Sequence, residues 1–205
     1  MSRLTEIAAQ LQGLASSGIL YTKDRFDKER FEQIMDLSAE LLSLGSDISK
    51  EEAKDLFEGN DSYPTPKSDV RAAVFNDKEE ILLVRDTDGR WALPGGWCDF
   101  DRTVFENAVK ESYEEAGIVV EPVKLVAVHF HRKRNNPKSF FSSNKFFVLC
   151  SYVSGEFKEN IETSEAGYFP LSELPEDLNT HKNNLYQIGL CHEAYLSDSW
   201  IPEVD

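Results

Sequence analysis

Trp91-Ala92-Leu93-Pro94-Gly95-Gly96-Trp97-Cys98-Asp99-Phe100-Asp101-Arg102-Thr103-Val104-Phe105-Glu106-Asn107-Ala108-Val109-Lys110-Glu111-Ser112-Tyr113-Glu114-Glu115-Ala116-Gly117-Ile118 reads as a short strand, a glycine loop and a helix. Thr103 followed by Glu106 has the pattern of a capping box, which predicts where the helix starts. Gly117 is the residue type that tolerates the left-handed backbone past a helix end, which predicts where it stops. At about 100° per residue, Phe105, Ala108, Val109, Ser112, Tyr113 and Ala116 share one side and Glu111, Glu114 and Glu115 the other. Carboxylates three and four residues apart repel by roughly 0.2–0.5 kcal/mol per pair. A solvated acidic face is the ordinary meaning of E-x-x-E-E. Here a glycine loop precedes it, and three carboxylates facing one point suit a hard divalent cation such as Mg²⁺, which prefers oxygen ligands.

The chain before this stretch has a different character. Residues 1–60 contain no proline and repeat apolar positions at helical spacing. Leu4, Ile7, Ala8, Leu11 and Leu14 mark one helix that Gly13 and Gly18 loosen. Phe26, Ile34, Leu37, Leu41 and Leu44 mark a second, and Ala53, Leu56 and Phe57 a third, opened by Ser49 and closed at Gly59. Three helices of this size have a limited core. Such a unit is expected to pack on the rest of the chain or across a homodimer interface. Residues 61–68, with Pro64 and Pro66, read as the linker. From residue 69 to 205 the pattern becomes strands and helices: 70–75, 81–85, 123–130 and 146–153 as strands, and 180–196 as a closing helix.

Composition bounds the function. The 205 residues carry a net charge of −15, which disfavours nonspecific adhesion to nucleic acid or an anionic membrane. Cys98, Cys150 and Cys191 show no pairing pattern and suit reduced thiols, so a cytoplasmic protein without disulfides is expected. No apolar run reaches membrane-spanning length. Between Pro122 and Gly155 there is no acidic residue, whereas Lys124, Arg132, Lys133, Arg134, Lys138 and Lys145 are basic. Two readings are open for this segment: a solvated hairpin tip, or a cationic lobe that holds substrate phosphates near the glutamates.

The spacing from Gly96 through Lys110-Glu111-Ser112-Tyr113-Glu114-Glu115-Ala116-Gly117-Ile118 resembles the Nudix box, G-x5-E-x7-R-E-U-x-E-E-x-G-U, where U is a bulky aliphatic residue. Arg102 stands where the box has its first Glu, Lys110 replaces its Arg, and Ser112 its aliphatic residue. Glu106, Asp99 or Asp101 would then have to replace the missing ion-pair partner. Tyr63-Pro64-Thr65-Pro66-Lys67-Ser68-Asp69-Val70-Arg71 after a helical extension is similar to a subgroup that includes ADP-ribose and CDP-choline pyrophosphatases. The resemblance implies an α+β protein: a Nudix fold, with a mixed β-sheet sandwiched between helices, and a small all-helical N-terminal domain. It implies hydrolysis of a nucleoside diphosphate-linked moiety with Mg²⁺ or Mn²⁺ bound by Gly96, Glu111, Glu114 and Glu115. Glu165, three residues before Tyr168, matches the position of a general base, with Glu162 second and a helix glutamate, Glu114 or Glu115, as the further catalytic candidate. Arg71 and Arg132 are the expected phosphate contacts, and Tyr63, Trp91 and Phe130 the expected base-stacking rings. Two alternatives stand beside this: a nucleoside-triphosphate sanitising pyrophosphatase on the same fold, and a non-catalytic nucleotide or RNA binder using the basic hairpin 130–147.

Overall fold

The computed structural model describes residues 3–57, 63–137, 139–140 and 142–205. The expected helix stop at Gly59 and residues 61–62 of the linker lie outside them. The chain divides into two compact units, Met1–Pro66 with Pro137–Ser142, and Lys67–Asn136 with Ser143–Asp205.

The first unit holds α1 (Arg3–Tyr21), α2 (Arg25–Gly45) and α3 (Lys50–Phe57). Asp24 caps α2, its carboxylate accepting the N–H groups of Phe26 and Asp27. Ser49 and Glu52 cap α3 reciprocally. Ala8, Ala39, Leu42, Ala53 and Phe57 form the core, and Phe140 stacks on Phe57 with ring centroids 5.3 Å apart. Two expectations change. α1 runs straight through Gly13 and Gly18, and it buries Thr5, Ala8, Gln12, Ala15 and Ser16. The leucines that defined its period are not its buried face: Leu14, like Phe26, Leu37 and Leu44 of α2, is exposed. Small residues such as Ala8 and Ala39 fill the core beside Leu42, and Leu14, Phe26, Leu37 and Leu44 are left exposed.

The second unit runs β1 (Lys67–Val74), β2 (Ile81–Asp86), β3 (Trp91–Ala92), α4 (Val104–Ala116), β4 (Ile118–Phe130), α5 (His131–Arg134), β5 (Ser143–Gly155), β6 (Thr163–Phe169), a 3-10 turn (Leu171–Glu173), α6 (Leu185–Leu196) and β7 (Glu203–Val204). One sheet has the order β1-β5-β4-β7, with β1–β5 and β4–β7 parallel and β4–β5 antiparallel. The other, β3-β2-β6, is antiparallel. Val70, Ala72 and Val74 of β1 join Val148 of β5 against Ala108 and Ala116 of α4. Ala73 joins Phe147 and Leu149 against Ile188 and Cys191 of α6. Both faces of β1 are covered, which is why Val70–Val74 reads as a nearly unbroken apolar run apart from Arg71.

β4 begins directly after Gly117, five residues before the start that its sequence suggests. Pro122 masks the strand, because it cannot donate to a ladder; it sits beside a register shift, where a missing N–H is tolerated. α6 begins at Leu185 rather than at Thr180, because Asn184 caps it in a box with Gln187. The basic segment fits its two readings only in part, and Lys138 lies outside the described residues. Lys124 donates to the carbonyls of Ala194 and Ser197 at the end of α6. Lys133 and Arg134 bind the Asp205 carboxylate, and Lys145 is buried against Asp69. Much of the cationic run is spent on structure.

Candidate active site

The glycine loop and α4 are built as their residues demand. Thr103 Oγ1 accepts the Glu106 N–H, and the Glu106 carboxylate accepts the Thr103 N–H at 2.8 Å. Gly117 closes the helix at φ 68°. Before the helix, Pro94 and Gly96 carbonyls accept the N–H groups of Ala72 and Val70 at 2.8 and 2.9 Å, so the loop lies along the free edge of β1. A Cβ on Gly95, at φ +147°, would run into the Val70 carbonyl. Only glycine fits there.

Helix α4 buries Asn107, Ala108, Glu111, Ser112, Glu115 and Ala116. The buried face is therefore rotated from the one that periodicity assigned: Phe105 and Tyr113 are exposed, and Glu111 and Glu115 are covered by the loop. Glu115 accepts the Gly95 N–H at 2.8 Å. Burial pushes its carboxyl up to about 7, opposed by that hydrogen bond, by Lys182 and by Arg71. Burial also raises Glu111, against the pull of Lys110 at 3.4 Å. Glu114 departs from the expected three-carboxylate convergence. Its carboxylate is half exposed and bound to Lys110 at 2.8 Å. Among the described residues, no group of three His, Cys, Asp or Glu side chains is gathered as a metal site. What the fold does gather is a pair of buried, poorly neutralised carboxylates beside Gly96. The carbonyl of Gly96 keeps one lone pair after accepting from Val70. Hard oxygen donors of this kind, costly to bury as anions, fit a divalent cation.

The ion-pair partner missing from the box is replaced. Asp99 lies 3.6 Å from Arg102 and 3.5 Å from Lys110, so one acid serves both cations. Asn107, unnoticed in the sequence, is fully buried and braces the same loop. Its Oδ1 accepts the Asp99 N–H at 2.9 Å, and its Nδ2 donates to the carbonyls of Arg102 and Thr103. Cys98 is raised to about 11, chiefly by burial, and is no reactive thiolate.

Several expected contacts are placed elsewhere. Arg71 is 3 % exposed. Its guanidinium pairs with Asp69 at 2.8 Å and donates to the Gly95 and Leu93 carbonyls. It braces the loop from beneath and offers phosphates no open face. Trp91 is a core ring, edge-on to Phe169 at 4.9 Å and covered by Arg85, so it is no stacking platform. Tyr63 belongs to the helical unit, with its ring 6.3 Å from Tyr21. Phe130 and Arg132 are partly buried at the β4–α5 junction. Glu165 lies in β6 and pairs with Arg85 at 3.5 Å; Glu162 is exposed, as Glu165 is. A cleft of about 1030 Å³ opens beyond the end of α4 among Phe75, Ile118, Tyr152, Tyr168 and Tyr195, but none of the candidate residues lines it.

The turn before α6 adds two residues that the sequence does not mark. Lys182 binds Asp86 at 2.7 Å and lies close enough to lower the Glu115 carboxyl. Asn183 accepts the Leu93 N–H at 2.8 Å. Neither belongs to a motif, and no spacing rule points to them.

Comparison with known proteins agrees with this geometry. Residues 65–187 match the NUDIX domain model, and residues 2–57 match that of a UDP-X-like N-terminal oligomerisation domain. The chain is 40 % identical over 186 residues to YjhB of Bacillus subtilis (strain 168), provisionally named an ADP-ribose pyrophosphatase, covering 90 % of this chain and 88 % of that one. A crystal structure of an ADP-ribose pyrophosphatase from Streptococcus suis is 46 % identical, with TM-score 0.63, and covers 69 % of this chain and all of its own. A UDP-X diphosphatase structure is 31 % identical, with TM-score 0.65, and spans 100 % of this chain and 98 % of its own. With its box helix, glycine loop and mixed sheet in register, the chain belongs to the Nudix family.

Proposed function

We propose that the protein hydrolyses a nucleoside diphosphate linked to a second moiety, as ADP-ribose or a UDP-sugar is, to a nucleoside monophosphate and the phosphorylated second moiety. Water attacks one phosphorus of the diphosphate, and the bridging P–O bond breaks. The observation that carries this is the buried Glu111–Glu115 pair held against Gly95 and Gly96. Glu111, Glu115 and the Gly96 carbonyl are the proposed metal ligands, with Glu114, now held by Lys110, as the third carboxylate. A divalent cation is the family's general requirement; Mg²⁺ or Mn²⁺ at this site supplies neutralisation of the diphosphate charge and a more acidic water. Asp99, Asn107 and Arg71 keep the loop in place, so the carboxylates are set before substrate arrives.

Lys182 takes the phosphate-facing role that the sequence suggested for Arg71, since its side chain is part exposed and its field reaches Glu115. Arg132 and Phe130 are the proposed contacts from the β4–α5 junction. The proton of the attacking water goes to a carboxylate, Glu165 or Glu115; full activity in Glu165→Gln assigns it to Glu115. The helical unit, with Leu14, Leu37 and Leu44 exposed, is proposed to join two chains into a homodimer.

The test is a screen of nucleoside diphosphate sugars, alcohols and dinucleotides with Mg²⁺ and Mn²⁺, with products identified by mass. Two phosphomonoesters are the expected products; monophosphate plus pyrophosphate from a triphosphate would favour the sanitising reading. Glu111→Gln and Glu115→Gln are each expected to lower kcat by about 10²-fold or more. Full metal-dependent activity in both variants would overturn the assignment.

A further inference from the structure

Four groups of hydrogen bonds hold the glycine loop, and three come from β1, from Arg71 on β1 and from α4. The fourth comes from a turn about ninety residues downstream that no box motif includes. There, the N–H of Asn179 donates to the Trp91 carbonyl at 2.8 Å, and the Trp91 N–H donates to the Asp177 carbonyl at 3.1 Å. The turn is thus laced to the free edge of β3. Its own shape is held by the N–H groups of Lys182 and Asn183, both donating to the Asn179 carbonyl at 2.9 and 3.0 Å. Asn179 and Lys182 side chains anchor it on Asp86 of β2 at 3.3 and 2.7 Å. Asn183 then reaches into the loop, fully buried, and its Oδ1 accepts the Leu93 N–H at 2.8 Å. Two residues on, the Gly95 N–H holds the Glu115 carboxylate. No protein group among the described residues pairs with the Asn183 Nδ2, so the Oδ1 bond to Leu93 is what this side chain contributes to the loop.

We infer that Asn183 is a positioning residue for the reaction: by fixing Leu93 it sets where the Gly95 N–H, and through it the Glu115 carboxylate, stands. The inference rests on the reading of Glu111 and Glu115 as cation ligands. Partners of ligands typically change metal affinity or activity by about 10–100-fold when removed. Direct binding of Mn²⁺ to the full-length protein, followed by the loss of the free-ion electron paramagnetic resonance signal, separates this role from a merely structural one. Asn183→Ala is expected to weaken Mn²⁺ binding by about tenfold or more, to speed hydrogen exchange at the Leu93 amide, and to lower kcat more than it raises KM. Asn183→Asp retains an acceptor oxygen at the same place and is expected to bind Mn²⁺ within about threefold of wild type. Wild-type affinity in Asn183→Ala overturns the inference. So does Asn183→Asp binding as poorly as Asn183→Ala, since the amide nitrogen would then be the atom that matters. If Asn183→Ala does not fold, Asn183→Leu, which keeps the volume and loses the acceptor, takes its place and is read in the same way. A wild-type protein that takes up no Mn²⁺ overturns the metal reading itself, whatever the variants do.

Discussion

Gly95 and Lys145 show how single residues at this site are constrained by opposite means. At Gly95 the constraint is steric. Gly95→Ala at a positive φ and against the Val70 carbonyl is expected to cost more than ~1 kcal/mol, read as a lower midpoint in urea unfolding, with activity lost along with the loop geometry. At Lys145 the constraint is electrostatic. Burial, and then the nearby Arg71 charge, lower its ammonium to about 8, against the attraction of Asp69. An unfolded lysine keeps its proton to roughly pH 10.4. Between pH 8 and that value the unfolded chain therefore binds more protons than the folded one, and this residue's contribution to stability rises with pH. Lys145→Met should flatten that rise, measured as the difference in unfolding free energy between wild type and variant at pH 8 and pH 9.5. Lys182→Met belongs to the same scale. With its ammonium gone, KM is expected to rise by about tenfold if the side chain meets a phosphate, a loss of roughly 1.4 kcal/mol of binding.

Helix α4 carries the glutamates proposed to hold the cation, and its ends are defined by local bonds. Thr103→Ala removes the N-cap and half of the capping box, and is expected to cost about 1 kcal/mol, seen as a lower thermal midpoint. Because Asn107 ties the first turn to Asp99, fraying of that turn should reach the loop, so the same variant should also lose some Mn²⁺ affinity. The ends of this helix were legible in the sequence, since caps are read from residues three apart. Its buried face was not. Periodicity sets Phe105 and Tyr113 on the side opposite the glutamates, yet those two rings are exposed and Glu111 and Glu115 buried, because the loop that covers them is fixed by β1 and by the turn at residues 177–183. Likewise the amphipathic pattern starts α6 at Thr180, whereas residues 180–184 form the turn that supplies Lys182 and Asn183.

The helical unit and the sheet unit each have their own core. In the helical unit Leu14, Leu37 and Leu44 are exposed, and these are the side chains through which the proposed homodimer would form. Leu37→Asp with Leu44→Asp should reduce the mass in solution to that of one chain, measured by light scattering, without unfolding the unit, because neither side chain is in its core. The family, the α+β class, the capped box helix and the acidic character of the site are all readable along the chain, because they rest on residues that are near neighbours in it. Which glutamates are buried, that Arg71 is buried beneath the loop, that Asp99 stands in for the missing acid of the box and that Asn183 reaches the loop come only from the three-dimensional packing. Each of those depends on a contact across dozens of residues or on the direction of a side chain, and a local pattern carries neither.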